Sequence, residues 1–179
     1  MPNMKKYILT AVTLGLIAMA SGLLIGATNL VTKGPIAEYE KEQFNNGVVE
    51  VFGEGAKADI NDKKDMPESF ESKYVTNYYI VSDANDLNIG YLFMTNGSNS
   101  YGKISLIVGY TSDTCALKGF SVLKNEQSFA STLKKKYITL VQSKERDYTD
   151  VSCGATYGAK LIRNMIDEAS DAANVLKGA

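Results

Sequence analysis

The chain has 179 residues, with 19 Lys and Arg against 20 Asp and Glu, two cysteines, and neither histidine nor tryptophan. Without histidine, a Ser-His-Asp triad, a His-ligated zinc site and a His-ligated haem are excluded. Two cysteines cannot alone hold an iron–sulfur cluster or an all-cysteine zinc site. A net charge of −1 argues against a nucleic-acid partner, which would require a basic surface.

An uncharged apolar segment near the N-terminus predicts a membrane-spanning helix over residues 7–27. Its length of roughly 31 Å, at about 1.5 Å per residue, matches the hydrocarbon core of a bilayer. A cleaved signal peptide is the alternative, because the residues at 18–20 resemble a cleavage site, although the apolar run continues beyond them. The short N-terminal tail favours a cytoplasmic N-terminus and an extracytoplasmic domain.

One face of this helix carries a row of small residues. They recur every three or four positions: Ala11, Gly15, Ala18, Gly22 and Gly26. Such a row, with a GxxxG pair at its end, lets another membrane helix approach closely. The alternative is that glycine and alanine are simply common in membrane helices.

The residues after the anchor predict an α+β domain. Pro35 and the nearby glutamates predict a helix over 35–43, and a polar, glycine-containing stretch predicts a loop over 53–71. β-Branched and aromatic residues predict strands over 78–81, 89–95, 103–110 and 117–123.

Three further elements complete the predicted order. Asn, Gly and Ser predict a turn over 96–102, a short helix is expected over 126–135, and a 3.6-residue apolar period predicts a helix over 157–177. We therefore expect a mainly antiparallel sheet with flanking helices. The predicted division is a tail and anchor over 1–32, a helix and polar linker over 33–72, and the domain over 73–179.

The segment 150–158, DVSCGATYG, concentrates side chains that react or bind just before the last helix. Asp150, Ser152, Cys153 and Thr156 are such residues, and the glycines allow a close approach of the backbone. A helix N-terminus favours a phosphate through its free N–H groups. The spacing is not that of a Walker A loop, and an ordinary Ser or Thr helix cap is the alternative.

This segment resembles the flavinylation motif of the FMN-binding domain family, Asp-x-x-Ser/Thr-Gly-Ala-Thr. Asp150, Gly154, Ala155 and Thr156 match the motif, whereas Cys153 stands where the family has Ser or Thr. The resemblance implies that residues 73–179 bind FMN and that a dedicated flavin transferase joins it to Thr156 through a phosphoester bond.

The resemblance also implies roles for the neighbours of Thr156. The backbone N–H groups around Gly154 and Gly158 would help to neutralise the phosphate, and Cys153, Ala155 and Tyr157 would complete the cofactor site. Asp150 would serve recognition by the transferase, with an ordinary acid before a helix as the alternative.

The likeness extends along most of the chain to the G subunit of Rnf-type complexes, a relative of the C subunit of sodium-pumping NADH:quinone oxidoreductase. It rests on the anchor followed by residues 27–32 and 36–38, and on the hairpin residues 90–93 and 101–109. Residues 125–131 depart from the Glu-Thr-Pro-Gly-Leu-Gly loop that the family has near the flavin; only Glu126 matches its acid.

The implied function is electron relay within an ion-translocating ferredoxin:NAD oxidoreductase, as one subunit beside other membrane subunits. A chain of this kind is not a complete enzyme by itself. The alternatives are a free-standing extracytoplasmic flavoprotein and a non-redox anchored interaction module.

The cysteines and three aromatic residues leave open questions. Cys115 and Cys153 form either a disulfide or two buried free thiols, and the replacement of a small family residue by Cys153 favours free thiols. Phe93, Tyr101 and Phe129 either flank the flavin or belong to the core.

Overall fold

The computed structural model describes residues 3–178, which divide into two compact units between residues 42 and 43. The elements, in chain order, are helix α1 (Asn3–Phe52), strands β1 (Val75–Ser82), β2 (Asn88–Asn99), β3 (Gly102–Thr111) and β4 (Leu117–Asn125), helix α2 (Ala130–Leu133), a π-helical segment (Lys134–Ile138), helix α3 (Thr139–Gln142) and helix α4 (Thr156–Gly178). The fold is α+β, as the sequence predicts.

The first unit contains the helix expected over residues 7–27. Within α1, an 18-residue window has a mean hydropathy of 2.3, so the helix is long and apolar enough to cross a membrane. Its large apolar side chains, among them Leu9, Ile17 and Leu24, are exposed rather than packed into a protein core. Side chains of this kind are suited to contact with lipid.

The separate helix predicted to begin at Pro35 is wrong, because Pro35 lies inside α1. An interior proline removes one backbone donor and crowds both the preceding residue and the carbonyl four residues back. The preceding residue is Gly34, whose lack of a Cβ relieves part of that crowding. Helical hydrogen bonds before and after the proline therefore continue the helix.

In the second unit, the four strands form one sheet in the order β1-β2-β3-β4, with every neighbouring pair antiparallel. All four predicted strands are confirmed, and the polar loop before β1 is confirmed as well. Each strand is longer than predicted, because pairing with its neighbour extends it beyond the apolar residues that the sequence pattern detects.

The turn predicted over 96–102 is much shorter in the structure. Residues 96–98 pair with residues 103–105, and only Ser100 and Tyr101 connect β2 to β3. Gly97 lies beneath α4, where an added Cβ would be 2.8 Å from Leu161 Cδ1 and 2.9 Å from Met165 Sδ. Strand pairing and this close approach of a helix outweigh the local preference for a turn.

The short helix predicted over 126–135 begins later, at Ala130, and the helical region reaches Gln142. Residues 126–128 are not helical, because Glu126 N–H donates to Lys103 O at 2.8 Å and Ser128 N–H donates to Tyr101 O at 2.8 Å. The final helix is confirmed and occupies Thr156–Gly178.

The sheet is buried on both faces. Successive strand residues point to opposite sides, so Phe93 and Leu106 join the cluster under α4, whereas Leu92 and Ile107 pack with residues 44–51 of α1. The second unit therefore includes the C-terminal part of α1. One of these two packed faces supports α4, whose N-terminus carries Thr156.

Glu168 of α4 fastens that helix to the segment that begins β1. Its Oε1 accepts hydrogen bonds from the backbone N–H groups of Lys73, Tyr74 and Val75 at 2.9, 2.7 and 3.0 Å, and lies 2.8 Å from Ser72 Oγ. Partial burial raises the pKa of this carboxyl, but the donors together outweigh burial and hold the pKa below its usual value.

We expect Glu168→Gln to lower the free energy of unfolding by about 1–2 kcal/mol near neutral pH, because an amide oxygen accepts weaker hydrogen bonds than a carboxylate. Since the folded-state pKa is lowered, the carboxylate stabilises the native chain above its unfolded-state pKa of about 4.3. That stabilisation is lost as the pH falls through the folded-state pKa. Urea unfolding of the full chain in detergent should therefore show a smaller difference in unfolding free energy between the parent chain and Glu168→Gln at acidic pH than near neutral pH.

Glu145→Gln is the matched control, since Glu145 is exposed. Its unfolding free energy should stay within about 0.5 kcal/mol of the parent value. An equal loss for Glu168→Gln at neutral and acidic pH would contradict a role for the carboxylate charge.

Candidate functional site

The loop before α4 is organised by Arg146. Its guanidinium donates to Lys136 O at 2.8 Å and to Ser152 O at 3.1 Å, and its Nε lies 3.4 Å from Asp150 Oδ2. Asp150 Oδ1 in turn accepts the N–H of Ser152 at 3.1 Å. These contacts hold the motif segment against the π-helical segment and place Asp150 at the surface, six residues before Thr156.

Thr156 is the first residue of α4, and its hydroxyl does not cap the helix. The first helical carbonyl belongs to Ala155, which accepts from the N–H groups of Gly158 at 3.0 Å and Ala159 at 3.1 Å. Among residues 3–178, the Thr156 hydroxyl has no hydrogen-bond partner, and Ser152 Oγ has none either. The ordinary side-chain cap is therefore not formed, and a half-exposed hydroxyl remains available.

Several backbone donors are also available at this helix start. Within residues 3–178, the N–H groups of Gly154, Ala155, Thr156 and Tyr157 have no acceptor. Gly154 has a φ of +77°, a left-handed conformation that favours glycine and turns the chain into the helix. Free N–H groups and the helix dipole together favour a negatively charged group beside Thr156.

A cavity of about 240 Å³ opens next to Thr156. It is lined by residues from the β2–β3 turn, from α2 and the segment before it, and from the start of α4 with the loop before it: Tyr101, Gln127, Phe129, Leu133 and residues 154–158. Tyr101, Phe129 and Tyr157 are 38%, 54% and 65% exposed. The Tyr101 ring lies 5.3 Å from that of Tyr157 and 6.0 Å from that of Phe129, between ring centroids.

Asn99 and Gln127 connect the three walls of the cavity. Asn99 Nδ2 donates to Tyr157 O at 3.2 Å, and Asn99 Oδ1 accepts from Gln127 Nε2 at 3.1 Å and from Tyr101 N–H at 2.9 Å. Gln127 Nε2 also donates to Gly102 O at 2.6 Å. The β2–β3 turn is thereby joined both to the start of α4 and to the chain before α2.

Gly158 permits the close contact between α4 and the segment around α2. A Cβ at this position would lie 2.7 Å from Leu133 Cδ2 and 3.4 Å from Gln127 Oε1. Gly158 is itself buried and lines the cavity. The motif residues Gly154, Ala155, Thr156, Tyr157 and Gly158 line the cavity, whereas Cys153, predicted as part of the same site, is buried and is not among the lining residues.

The two cysteines are free thiols at opposite ends of α4. Cys153 is buried just before its N-terminus, whereas Cys115 Sγ lies 3.5 Å from Ala173 O near its C-terminus. Ala173 follows Thr156 by 17 positions, which span roughly 25 Å of helix. A disulfide between the cysteines, left open by the sequence, is excluded by this separation.

Of the three aromatic residues considered from sequence, Tyr101 and Phe129 line the cavity, but Phe93 is fully buried beneath α4. Gln127 and Asn99 are site residues that the sequence pattern did not identify. A single Asn or Gln belongs to no recognisable sequence motif, and only the strand register brings these two together.

Among residues 3–178 no cluster of three His, Cys, Asp or Glu side chains could hold a metal.

No protein-family model matches this chain, and a search of curated proteins finds no match for it. Function is therefore inferred from the geometry of the site and from the motif residues.

We expect Gly102→Ala to disrupt the cavity and to lower the free energy of unfolding by about 2–3 kcal/mol. Gly102 has a φ of +135°, and a Cβ there would lie 2.1 Å from Glu126 O, a backbone atom that cannot rotate away. Urea unfolding of the full chain in detergent measures the loss.

Gly119→Ala is the control, because the nearest atom to its Cβ would be Val51 Cγ1 at 4.0 Å. This change should alter the unfolding free energy by less than about 0.5 kcal/mol. Equal effects of the two substitutions would show that the β2–β3 turn does not depend on Gly102.

Proposed function

We propose that this chain is a membrane-anchored electron carrier in which FMN is attached covalently to Thr156. The observation that carries the proposal is the Thr156 hydroxyl, which is half-exposed, unpartnered within residues 3–178, and placed at the edge of a cavity. The likeness of residues 150–156 to the flavinylation motif of the FMN-binding domain family supports the same residue.

The donors around Thr156 fit a phosphoester. A phosphodiester keeps one negative charge, and the free N–H groups of residues 154–157 lie at the positive end of α4. The motif segment carries no acidic side chain between Ser152 and Gly158 that would oppose this charge. The dipole of the helix would contribute about 0.3–1 kcal/mol at such an exposed position.

The aromatic side chains fit a planar ring. Tyr101, Phe129 and Tyr157 are exposed around the cavity, where they can stack against or flank an isoalloxazine. A cavity of about 240 Å³ covers only part of such a cofactor. The uncovered edge would remain accessible to a partner that donates or accepts electrons.

FMN would supply the redox centre. The chain's residues bind and orient it. In the attachment reaction a bond would form between Thr156 Oγ and the flavin phosphorus as the phosphoanhydride bond of a flavin dinucleotide breaks; the hydroxyl proton and a nucleoside monophosphate leave, so the chain gains FMN less one water. Asp150, exposed at the surface and held by Arg146, is the residue that we assign to recognition by the flavin transferase.

The N-terminal part of α1 supports a role at a membrane. Its exposed apolar surface fits a single-pass anchor, with the N-terminus in the cytoplasm and the flavin domain outside. A covalent bond would keep the flavin from being lost in that compartment. The open face at Gly15, Gly22 and Gly26 fits close contact with membrane subunits of an Rnf-type ion-translocating oxidoreductase.

Thr156→Ala should abolish covalent flavin when the full chain is co-expressed with a flavin transferase, because no other atom replaces the attacking Oγ. Flavin fluorescence of the chain in a denaturing gel is the measurement. Thr156→Ser keeps a hydroxyl at the same position and should retain fluorescence.

Thr139→Ala removes an exposed threonine hydroxyl outside the motif and should leave the fluorescence unchanged. A fluorescent Thr156→Ala chain would place the attachment elsewhere. If the parent chain carries no flavin at all, the non-redox interaction module becomes the better account.

A further inference from the structure

We propose that the outer edge of β4 binds an extended, acidic segment of a partner protein, which would pair with β4 as a fifth strand of the sheet. The groove along this edge shares no lining residue with the cavity beside Thr156, so binding there does not depend on the attachment of FMN. The difference between the two edges of the sheet carries the proposal.

The β1 edge is covered by the chain itself. Lys57 pairs with Ser82, and Lys64 pairs with Tyr78, and each pair exchanges two backbone hydrogen bonds of 2.8 and 2.9 Å. Among residues 3–178, no backbone segment pairs with the outer side of β4. An edge strand with unpaired N–H and C=O groups is a template for another extended chain.

The ladder between β3 and β4 shows which peptide groups face outward. Glu126 N–H donates to Lys103 O, and bonded and non-bonded pairs alternate along an antiparallel ladder. Both register shifts add a residue in β4 and none in β3, so the alternation continues along β3. Counting from the bonded pair places the outward N–H and C=O groups of β4 at Asn125, Val122 and Phe120.

A side chain covers only part of this edge. Gln142 Nε2 donates to Phe120 O at 3.1 Å, in agreement with the count, and to Glu50 Oε1 at 2.9 Å. Within residues 3–178, the outward N–H and C=O groups of Val122 and Asn125 have no partner. These four groups are available to pair with a fifth strand.

A groove of about 450 Å³ runs beside these groups. Val122 and Asn125 line it on the side of β4, and Lys134, Ile138 and Gln142 line it on the side of the helical segments. A strand needs such space, because its side chains project alternately to either side of the sheet. An incoming chain in the groove would bring its backbone to Val122 and Asn125.

The charge of the two walls favours an acidic occupant. Residues 117–142 carry five lysines, all exposed, and a single acid, Glu126, although the whole chain has a net charge of −1. The lysines are Lys118, Lys124, Lys134, Lys135 and Lys136. Lys124 pairs with Glu126 at 2.8 Å, whereas the other four have no acidic partner within residues 3–178. Aspartate or glutamate side chains of a partner would complement them.

Other occupants fit less well. The headgroups of a lipid surface would use the lysines but not the row of backbone donors and acceptors. A second copy of this chain, paired through its own β4, would bring the lysines of the two copies together, and like charges opposite each other destabilise a strand pair.

Site-specific photo-crosslinking of the full chain in its native cells tests the proposal. Ser131 is exposed and lines the groove, so Ser131→p-benzoylphenylalanine places the photoreactive group beside β4. Lys63→p-benzoylphenylalanine is the control at an exposed position outside the groove. Mass spectrometry of the crosslinked peptides identifies the occupant. We expect an acidic segment of another protein at position 131 and not at position 63.

Two variants, each made in the Ser131→p-benzoylphenylalanine chain, test how the segment binds. Val122→Pro removes an outward N–H that the ladder does not use, and proline is tolerated at such edge positions. The crosslink yield should fall roughly 2- to 12-fold relative to Val122→Thr, which keeps the N–H, as one lost hydrogen bond predicts.

Lys134→Glu reverses a charge in the groove at an exposed position where folding is unaffected. It should lower the yield about 2- to 5-fold relative to Lys63→Glu, which makes the same charge change outside the groove.

A crosslink to phospholipid, to a second copy of this chain or to a segment without excess acid would overturn the proposal, and so would the absence of any crosslink at position 131. Equal yields for Val122→Pro and Val122→Thr would exclude pairing with the strand edge. Equal yields for Lys134→Glu and Lys63→Glu would contradict the acidic character of the partner.

Discussion

The apolar face of α4, buried against one side of the sheet, positions the rest of the candidate site. Leu161, Ile162 and Met165 are buried there, and each such side chain stabilises the packing by about 1.5–3 kcal/mol. The Tyr110 hydroxyl adds a buried hydrogen bond to Ile166 O at 2.8 Å. Because the helix crosses β2 at Gly97, its first turn reaches the β2–β3 turn, and Thr156 comes to lie beside Tyr101. A shift of α4 along the sheet would separate the hydroxyl from the cavity.

Local patterns predicted the regular elements well. The apolar period of α4, the β-branched and aromatic strands and the apolar anchor all reflect interactions that repeat along the chain. Two of the failures have different causes. Residues 96–98 stay in β2 because they pair with β3 and because Gly97 lies beneath α4, a contact distant in sequence. Pro35 stays helical within α1, where the preceding residue, Gly34, relieves part of the crowding.

The candidate site likewise has one part that the sequence predicts and one part that it does not. The motif residues 150–158 could be identified from sequence because they are consecutive, and the structure gathers 154–158 at one cavity. Asn99, Tyr101, Gln127 and Phe129 come from two other segments, and only the hairpin register and the backbone bonds of Glu126 and Ser128 to the hairpin bring them to Thr156. The structure also separates Cys115 from Cys153 and Phe93 from the cavity, which the sequence left open.

The central claim is that the hydroxyl of Thr156 carries FMN, and mass spectrometry of the native chain tests it most directly. Trypsin cleaves after Arg146 and Lys160, so Thr156 lies in the single peptide 147–160, together with Thr149 and Ser152. We predict that this peptide, from protein purified from its native cells, is heavier by FMN less one water, with the added mass on Thr156 in the fragment spectrum. An unmodified peptide throughout, or the added mass on another residue, would contradict the account.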